Sequence, residues 1–189
     1  MVLSPTPSQT IGPFFHFALL NEDRSKLIAP DHPSAIRIEG TVYDGTGEVM
    51  PDAMLELCQA DADGRYVHPG SDEGPVPENE FSGFGRCGTD DEGRYEFLTI
   101  KPGVVSGSDD RPSAPHIWIS VFARGLLKRV TTRMYFPDEE EANAVDPVFA
   151  SIEDPDLRST LVAQPADEDG SLRFDIRLQG DRQTGFFDV

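Results

Sequence analysis

"IRIEGTVYDGTGEV", residues 36–49, decides the fold class. Ile36, Ile38 and Val42 fall on alternate positions, a period of two that sets one row of apolar side chains on a single face of a strand. Asp44-Gly45-Thr46-Gly47 then closes the strand with residues that favour a tight turn. The same device returns in "AMLELCQADADGRY", residues 53–66, where Leu55 and Leu57 alternate ahead of a turn around Asp63-Gly64. It returns again in "FGRCGTDDEGRYEFLTI", residues 84–100, read as a strand–turn–strand unit turning at Asp91-Glu92-Gly93 and ended by Lys101-Pro102-Gly103. "HIWISVFA" (116–123) and "VTTRMYF" (130–136) are two more β-rich runs, and "SLRFDIRL" (171–178) is a last one. Strands at this spacing, joined by Gly-rich turns, predict an all-β chain folded as a β-sandwich.

Helical signal is confined to "DEEEANAV" (138–145) and "DPDLRSTLVA" (154–163), whose acidic starts suit the positive end of a helix. Two short helices are expected there. Residues 1–35 are proline-rich and without periodicity, which predicts an extended arm that contacts a partner chain. The length of 189 residues suits one domain, residues 1–189, and no internal repeat interrupts it.

The net charge of −18 sets the chain against phosphate backbones, so nucleic acid is not an expected partner. No apolar run reaches the ~18 residues of a membrane span. The start lacks a basic n-region and is broken by Pro5, Pro7 and Pro13, a poor signal peptide, so a cytoplasmic location is expected. Cys58 and Cys87 are expected as free, buried thiols. Between Arg111 and Pro137 there is no Asp or Glu, while Arg124, Lys128, Arg129 and Arg133 all fall there. This stretch reads either as a basic edge that meets an acidic surface or as a local site for a small anion, and the two are compatible.

Metal and nucleophile motifs are scarce. His16, His32, His68 and His116 have no ligand-like spacing, and no Cys-x-x-Cys or Gly-x-Ser-x-Gly occurs. One stretch stands out. In "APHIWIS", residues 114–120, His116 and Trp118 share a strand face, where a His-x-His pair would clamp a metal. An indole offers one N–H and no lone pair. On the residues alone, the chain is an acidic β-sandwich with a basic stretch and one suggestive His-x-Trp.

Six blocks in a fixed order carry a resemblance: "TPSQTIGPFFH" (6–16), "GRYVHPG" (64–70), "FGRCGTDDEGRYEFLTIKPG" (84–103), "APHIWIS" (114–120), "TTRMYF" (131–136) and "FDIRLQG" (174–180). Together they resemble the intradiol ring-cleaving dioxygenases. The opening "TPSQT" and closing "FFD" resemble the alpha chains of the family's two-chain members. The resemblance implies an iron-bearing beta chain as partner in an alpha–beta hetero-oligomer. It further implies O₂-dependent cleavage of 3,4-dihydroxybenzoate to 3-carboxy-cis,cis-muconate in aromatic catabolism, the β-ketoadipate pathway. The family holds Fe(III) with two tyrosines and two histidines. The matching positions here are Tyr66, Val105, His116 and Trp118, and two of these cannot ligate a hard ferric ion. Iron is therefore expected on the beta chain and none on this one, with no catalytic residue of its own. The family's substrate-pocket positions match Thr10, Gly12, Pro13, Phe14 and Arg133, with Phe14 where the family pattern has tyrosine. The alternatives are a stand-alone, non-catalytic sandwich that binds or scaffolds, and a self-sufficient metalloenzyme with other ligands.

Overall fold

A computed structural model describes residues 18–66, 81–106, 111–166 and 170–188 of the protein. The long strands are β1 (Ala35–Tyr43), β2 (Met54–Gln59), β3 (Phe84–Gly88), β4 (Arg94–Ile100), β7 (His116–Phe122) and β8 (Val130–Tyr135). Five two-residue strands accompany them: β5 (Val105–Ser106), β6 (Pro112–Ser113), β9 (Gln164–Pro165), β10 (Leu172–Arg173) and β11 (Ile176–Arg177). One sheet runs β3-β2-β7-β8, antiparallel throughout. In the other, β4 lies antiparallel on one edge of β1, while β10 and β11 run parallel along its other edge and β9 lies beyond β10.

The alternation read from the sequence is what joins the two sheets. Ile38 and Val42 of β1 and Phe97 of β4 meet Leu55 and Leu57 of β2, Ile117, Ile119 and Val121 of β7, and Met134 of β8, all fully buried. Each such side chain contributes about 1.5–3 kcal/mol when removed from water. The β-sandwich expectation holds.

Three turns share one mechanism. Asp44 Oδ1 accepts the backbone N–H of Thr46 and Glu48, Asp61 Oδ1 those of Asp63 and Arg65, and Asp90 Oδ1 those of Glu92 and Arg94. These carboxylates substitute for backbone acceptors, which is why Asp opens each turn. Gly64, in the second, has φ of 78°, and an added Cβ would lie 1.9 Å from the Val104 carbonyl oxygen. That turn is thereby clamped against the loop that carries Val105.

The strand–turn–strand unit read at residues 84–100 is present, with β3 and β4 in opposite sheets and the turn crossing the sandwich. The structure departs from the sequence reading in three places. "SLRFDIRL" is two short parallel strands, broken where Phe174 N–H donates to Glu39 O and Asp175 accepts from Thr41 N–H. Gly40 is required opposite this break, since a Cβ there would sit 2.0 Å from Phe174 O. Among the described residues three short helices follow β8, where two were expected: α1 (Glu140–Val145), α2 (Pro147–Ala150) and α3 (Pro155–Ser159). Finally, residues 24–28 of the expected arm belong to the body. Arg24 and Ser25 carbonyls accept from Arg86 and Leu98, and Leu27 is buried in the core, so the segment stitches the β3 edge to the β4 edge. Two exposed strand edges are covered in this way.

Candidate functional site

The outward face of β7 and β8 concentrates the side chains of interest. Register pairs Trp118 with Arg133 and His116 with Tyr135, so all four point away from the core that Ile117, Ile119 and Met134 fill. Arg133 lays its guanidinium over the Trp118 ring, 4.2 Å from the centroid. Its Nη1 donates to the Tyr135 hydroxyl at 3.3 Å and lies 3.9 Å from Asp146 Oδ1. The side chain is 11% exposed, so it is a buried cation rather than a strand-edge arginine.

Asp146 anchors the arrangement and is fully buried. Its Oδ1 accepts the Tyr135 hydroxyl at 3.0 Å and caps α2 through Val148 and Phe149 N–H at 2.9 Å each; Oδ2 accepts Ala114 N–H at 3.0 Å. Ala114 in turn accepts from His116 Nδ1 at 2.7 Å. One line of hydrogen bonds thus runs Arg133–Tyr135–Asp146–Ala114–His116. Because a carbonyl only accepts, Nδ1 carries the imidazole proton, and Nε2 is left with a buried lone pair and no partner among the described residues. Burial, and then the Arg133 charge, hold the His116 pKa down to about 4. The ring is therefore neutral near pH 7.

Tyr66 reaches the same face. It lies across an isolated bridge from Ala60, close enough to Trp118 for the indole to lower the pKa of its phenol. Burial raises its pKa, while Arg133 pulls in the other direction. Val105 opens β5, whose partner β6 leads directly into β7. Phe187 and Phe149 close the face, against Trp118 at 5.9 Å and Tyr135 at 4.9 Å.

Tested against a ferric ion, the residues do not fit. Val105 brings no donor atom, Trp118 offers one N–H and no lone pair, and a guanidinium lies over the indole. One phenol and one imidazole lone pair remain. Among the described residues no three His, Cys, Asp or Glu converge on a point.

Of the residues singled out from the sequence, Tyr66, His116, Trp118 and Arg133 come together. Thr10, Gly12, Pro13 and Phe14 lie outside the described residues, as do His16 and His68. The basic stretch is not one site. Arg124 pairs with Asp52 and Lys128 with Asp188 on the exposed hairpin between β7 and β8, away from the buried Arg133. Cys58 and Cys87 are free thiols, and burial raises the pKa of both, as for inert cysteines. Asp146 and Tyr135 were missed by the sequence reading. The signal available for Asp146 was Asp-Pro ahead of a short helix, an N-cap followed by proline at the first helical position. A groove of about 760 Å³ along the β3–β4 edge, lined by Thr41, Arg86, Cys87, Arg94 and Tyr95 among others, holds none of Tyr66, His116, Trp118, Arg133, Tyr135 and Asp146.

A family profile described as Dioxygenase matches residues 12–180. The chain is 44% identical over 201 residues to the protocatechuate 3,4-dioxygenase alpha chain of Pseudomonas putida, covering 99% of this chain and 98% of that one. It is 37% identical over 155 residues to the protocatechuate 3,4-dioxygenase beta chain of Burkholderia cepacia, covering 77% of this chain and 64% of that one. Among solved structures, the dioxygenase domain of a dioxygenase carbohydrate-binding protein fusion from Streptomyces sp. SirexAA-E superimposes with a TM-score of 0.62 at 25% identity, covering 94% and 99% of the two chains.

Proposed function

The chain belongs to the dioxygenase family, and on that premise we propose that it is the alpha-type subunit of a two-chain protocatechuate 3,4-dioxygenase. The complex cleaves 3,4-dihydroxybenzoate between its hydroxyls, using both atoms of O₂, to give 3-carboxy-cis,cis-muconate in aromatic catabolism. Non-haem iron is the family's metal. In our reading the beta-type partner holds it, because two of the four ligand positions on this chain are Val105 and Trp118. That donor set carries the proposal: a subunit kept without a metal centre contributes walls, charge and assembly.

The pocket role assigned to this chain rests on Thr10, Gly12, Pro13 and Phe14 of the N-terminal segment together with Arg133. Arg133 is held by Tyr135 and Asp146 through Nη1, while its Nε has no partner among the described residues. A guanidinium already held in place by Tyr135 and Asp146 is oriented in advance for the carboxylate of an anionic substrate. Within the single domain of residues 1–189, the arm that meets the partner is narrowed to the residues ahead of Arg24. We place the complex in the cytoplasm; among the described residues no helix is long and apolar enough to cross a membrane.

Co-expression tests the function. With a beta-type partner, the complex should consume O₂ and protocatechuate in equal amounts, and either chain alone should not. Turnover by this chain alone would favour the self-sufficient metalloenzyme. A chain that never associates with a beta-type partner would favour the stand-alone scaffold.

A further inference from the structure

The residues matching the family's metal positions are arranged around something other than a metal. Arg133 faces Trp118 across the β7–β8 ladder and covers its ring at 4.2 Å. The electrostatic influence of Arg133 extends to both Tyr66 and His116. Tyr135 and Asp146 hold the guanidinium from the inner side, and both are fully buried. Every retained ligand position therefore lies within the field of one fixed positive charge.

We infer that Arg133 is a built-in cation standing in the lost metal centre, so that this chain excludes a metal ion by charge as well as by missing ligands. The inference rests on the proposed correspondence of Tyr66, Val105, His116 and Trp118 to the family's ligands. Two physical arguments favour it over simple packing. A hydrocarbon would cover Trp118 equally well without burying an Nε that has no partner among the described residues, as Arg133 does. Asp146 would be a buried carboxylate without a nearby countercharge if the guanidinium were absent. The arrangement also separates two features that missing ligands alone do not. Restoring donors at positions 105 and 118 would still set a metal cation beside a guanidinium in a low-dielectric site, where like charges repel strongly.

The experiment uses the complex with its beta-type partner and reads metal rather than turnover. Two variants of this chain are compared with wild type: Val105→Tyr with Trp118→His, and the same pair with Arg133→Gln. After reconstitution with ferric iron, the double variant should hold no more iron per complex than wild type. The triple variant should rise by about one ion per chain and show a tyrosinate-to-iron absorption band, at least about a tenfold gain in occupancy of this site. Equal uptake by the two variants overturns the proposal, and so does a triple variant that assembles and takes up nothing. Should the triple variant fail to assemble, Trp118→His with and without Arg133→Gln leaves the Val105 loop intact and is probed with Cu(II) by electron paramagnetic resonance. The same order is expected, and equal Cu(II) uptake overturns the idea. Activity of the wild-type complex, measured separately, tests the functional reading without bearing on this one.

Discussion

Asp146→Ala should be the most damaging single change on the outer face of the β7–β8 sheet. The carboxylate is fully buried and accepts four hydrogen bonds: from the Tyr135 hydroxyl, Ala114 N–H and the two N–H groups that open α2. It also lies 3.9 Å from the Arg133 guanidinium. Removing a helix cap costs about 1 kcal/mol. An orphaned buried donor such as Ala114 N–H costs about 1–3 kcal/mol, and an uncompensated buried charge about 3–5 kcal/mol. These overlap, because one site cannot relax twice, and we take about 4 kcal/mol for the whole. Asp146→Asn keeps an acceptor for α2 but loses the charge and turns a donor on Ala114 or Tyr135, at about 2 kcal/mol. The assay is hydrogen exchange of the peptides covering β7 and β8 in the assembled protein. A loss of about 4 kcal/mol accelerates exchange by up to about a thousandfold, and 2 kcal/mol by about thirtyfold. Asp146→Ala peptides exchanging within threefold of wild type would refute the idea that this carboxylate pins the site.

Other outcomes follow from the same geometry. Arg133→Ala should lower kcat/KM for protocatechuate about ten- to a hundredfold more than for plain catechol, as expected for a lost charge-assisted hydrogen bond of about 1.5–3 kcal/mol, with Arg133→Lys recovering part. An unchanged ratio of the two substrates means Arg133 does not read the carboxylate. Deleting residues 1–15 should weaken assembly and activity together; a truncated complex of native size and full activity removes the pocket role of Thr10, Gly12, Pro13 and Phe14. Between pH 6.5 and 4 the unfolded chain binds a proton on His116 that the folded chain refuses, so stability should fall as pH drops through that window, by up to about 3 kcal/mol. Urea denaturation of wild type and His116→Phe should show a flatter pH dependence in the variant, and identical slopes would contradict the placement of His116.

The parts legible in the sequence were those with strict local period. Ile36, Ile38 and Val42, then Leu55 and Leu57, announced β1 and β2 because a half-buried strand must alternate. The pairing of those strands was not legible. The crossing between β3 and β4 depends on which sheet edge each strand meets, a long-range choice that a Gly-containing turn permits but does not specify. The site was half legible. Tyr66, His116, Trp118 and Arg133 were singled out in the sequence, yet the burial of Arg133 depends on Trp118 standing opposite it across the ladder, which alternation alone does not reveal. Asp146 was hidden among 34 carboxylates in a chain of net charge −18, where an acidic side chain is ordinarily a solvated one. Leu27 was hidden for the opposite reason. Its segment has no period because it stitches two edges instead of lining one face.

In our reading this chain completes an iron enzyme without holding the iron. Metal analysis of the complex and of each chain alone, all grown in iron-rich medium, tests it directly. About one ferric ion per pair of chains is expected, carried by the partner and accompanied by the tyrosinate-to-iron colour, since one phenol and one imidazole do not hold a hard ferric ion. A tightly bound ferric ion at one per chain on this subunit alone would contradict it.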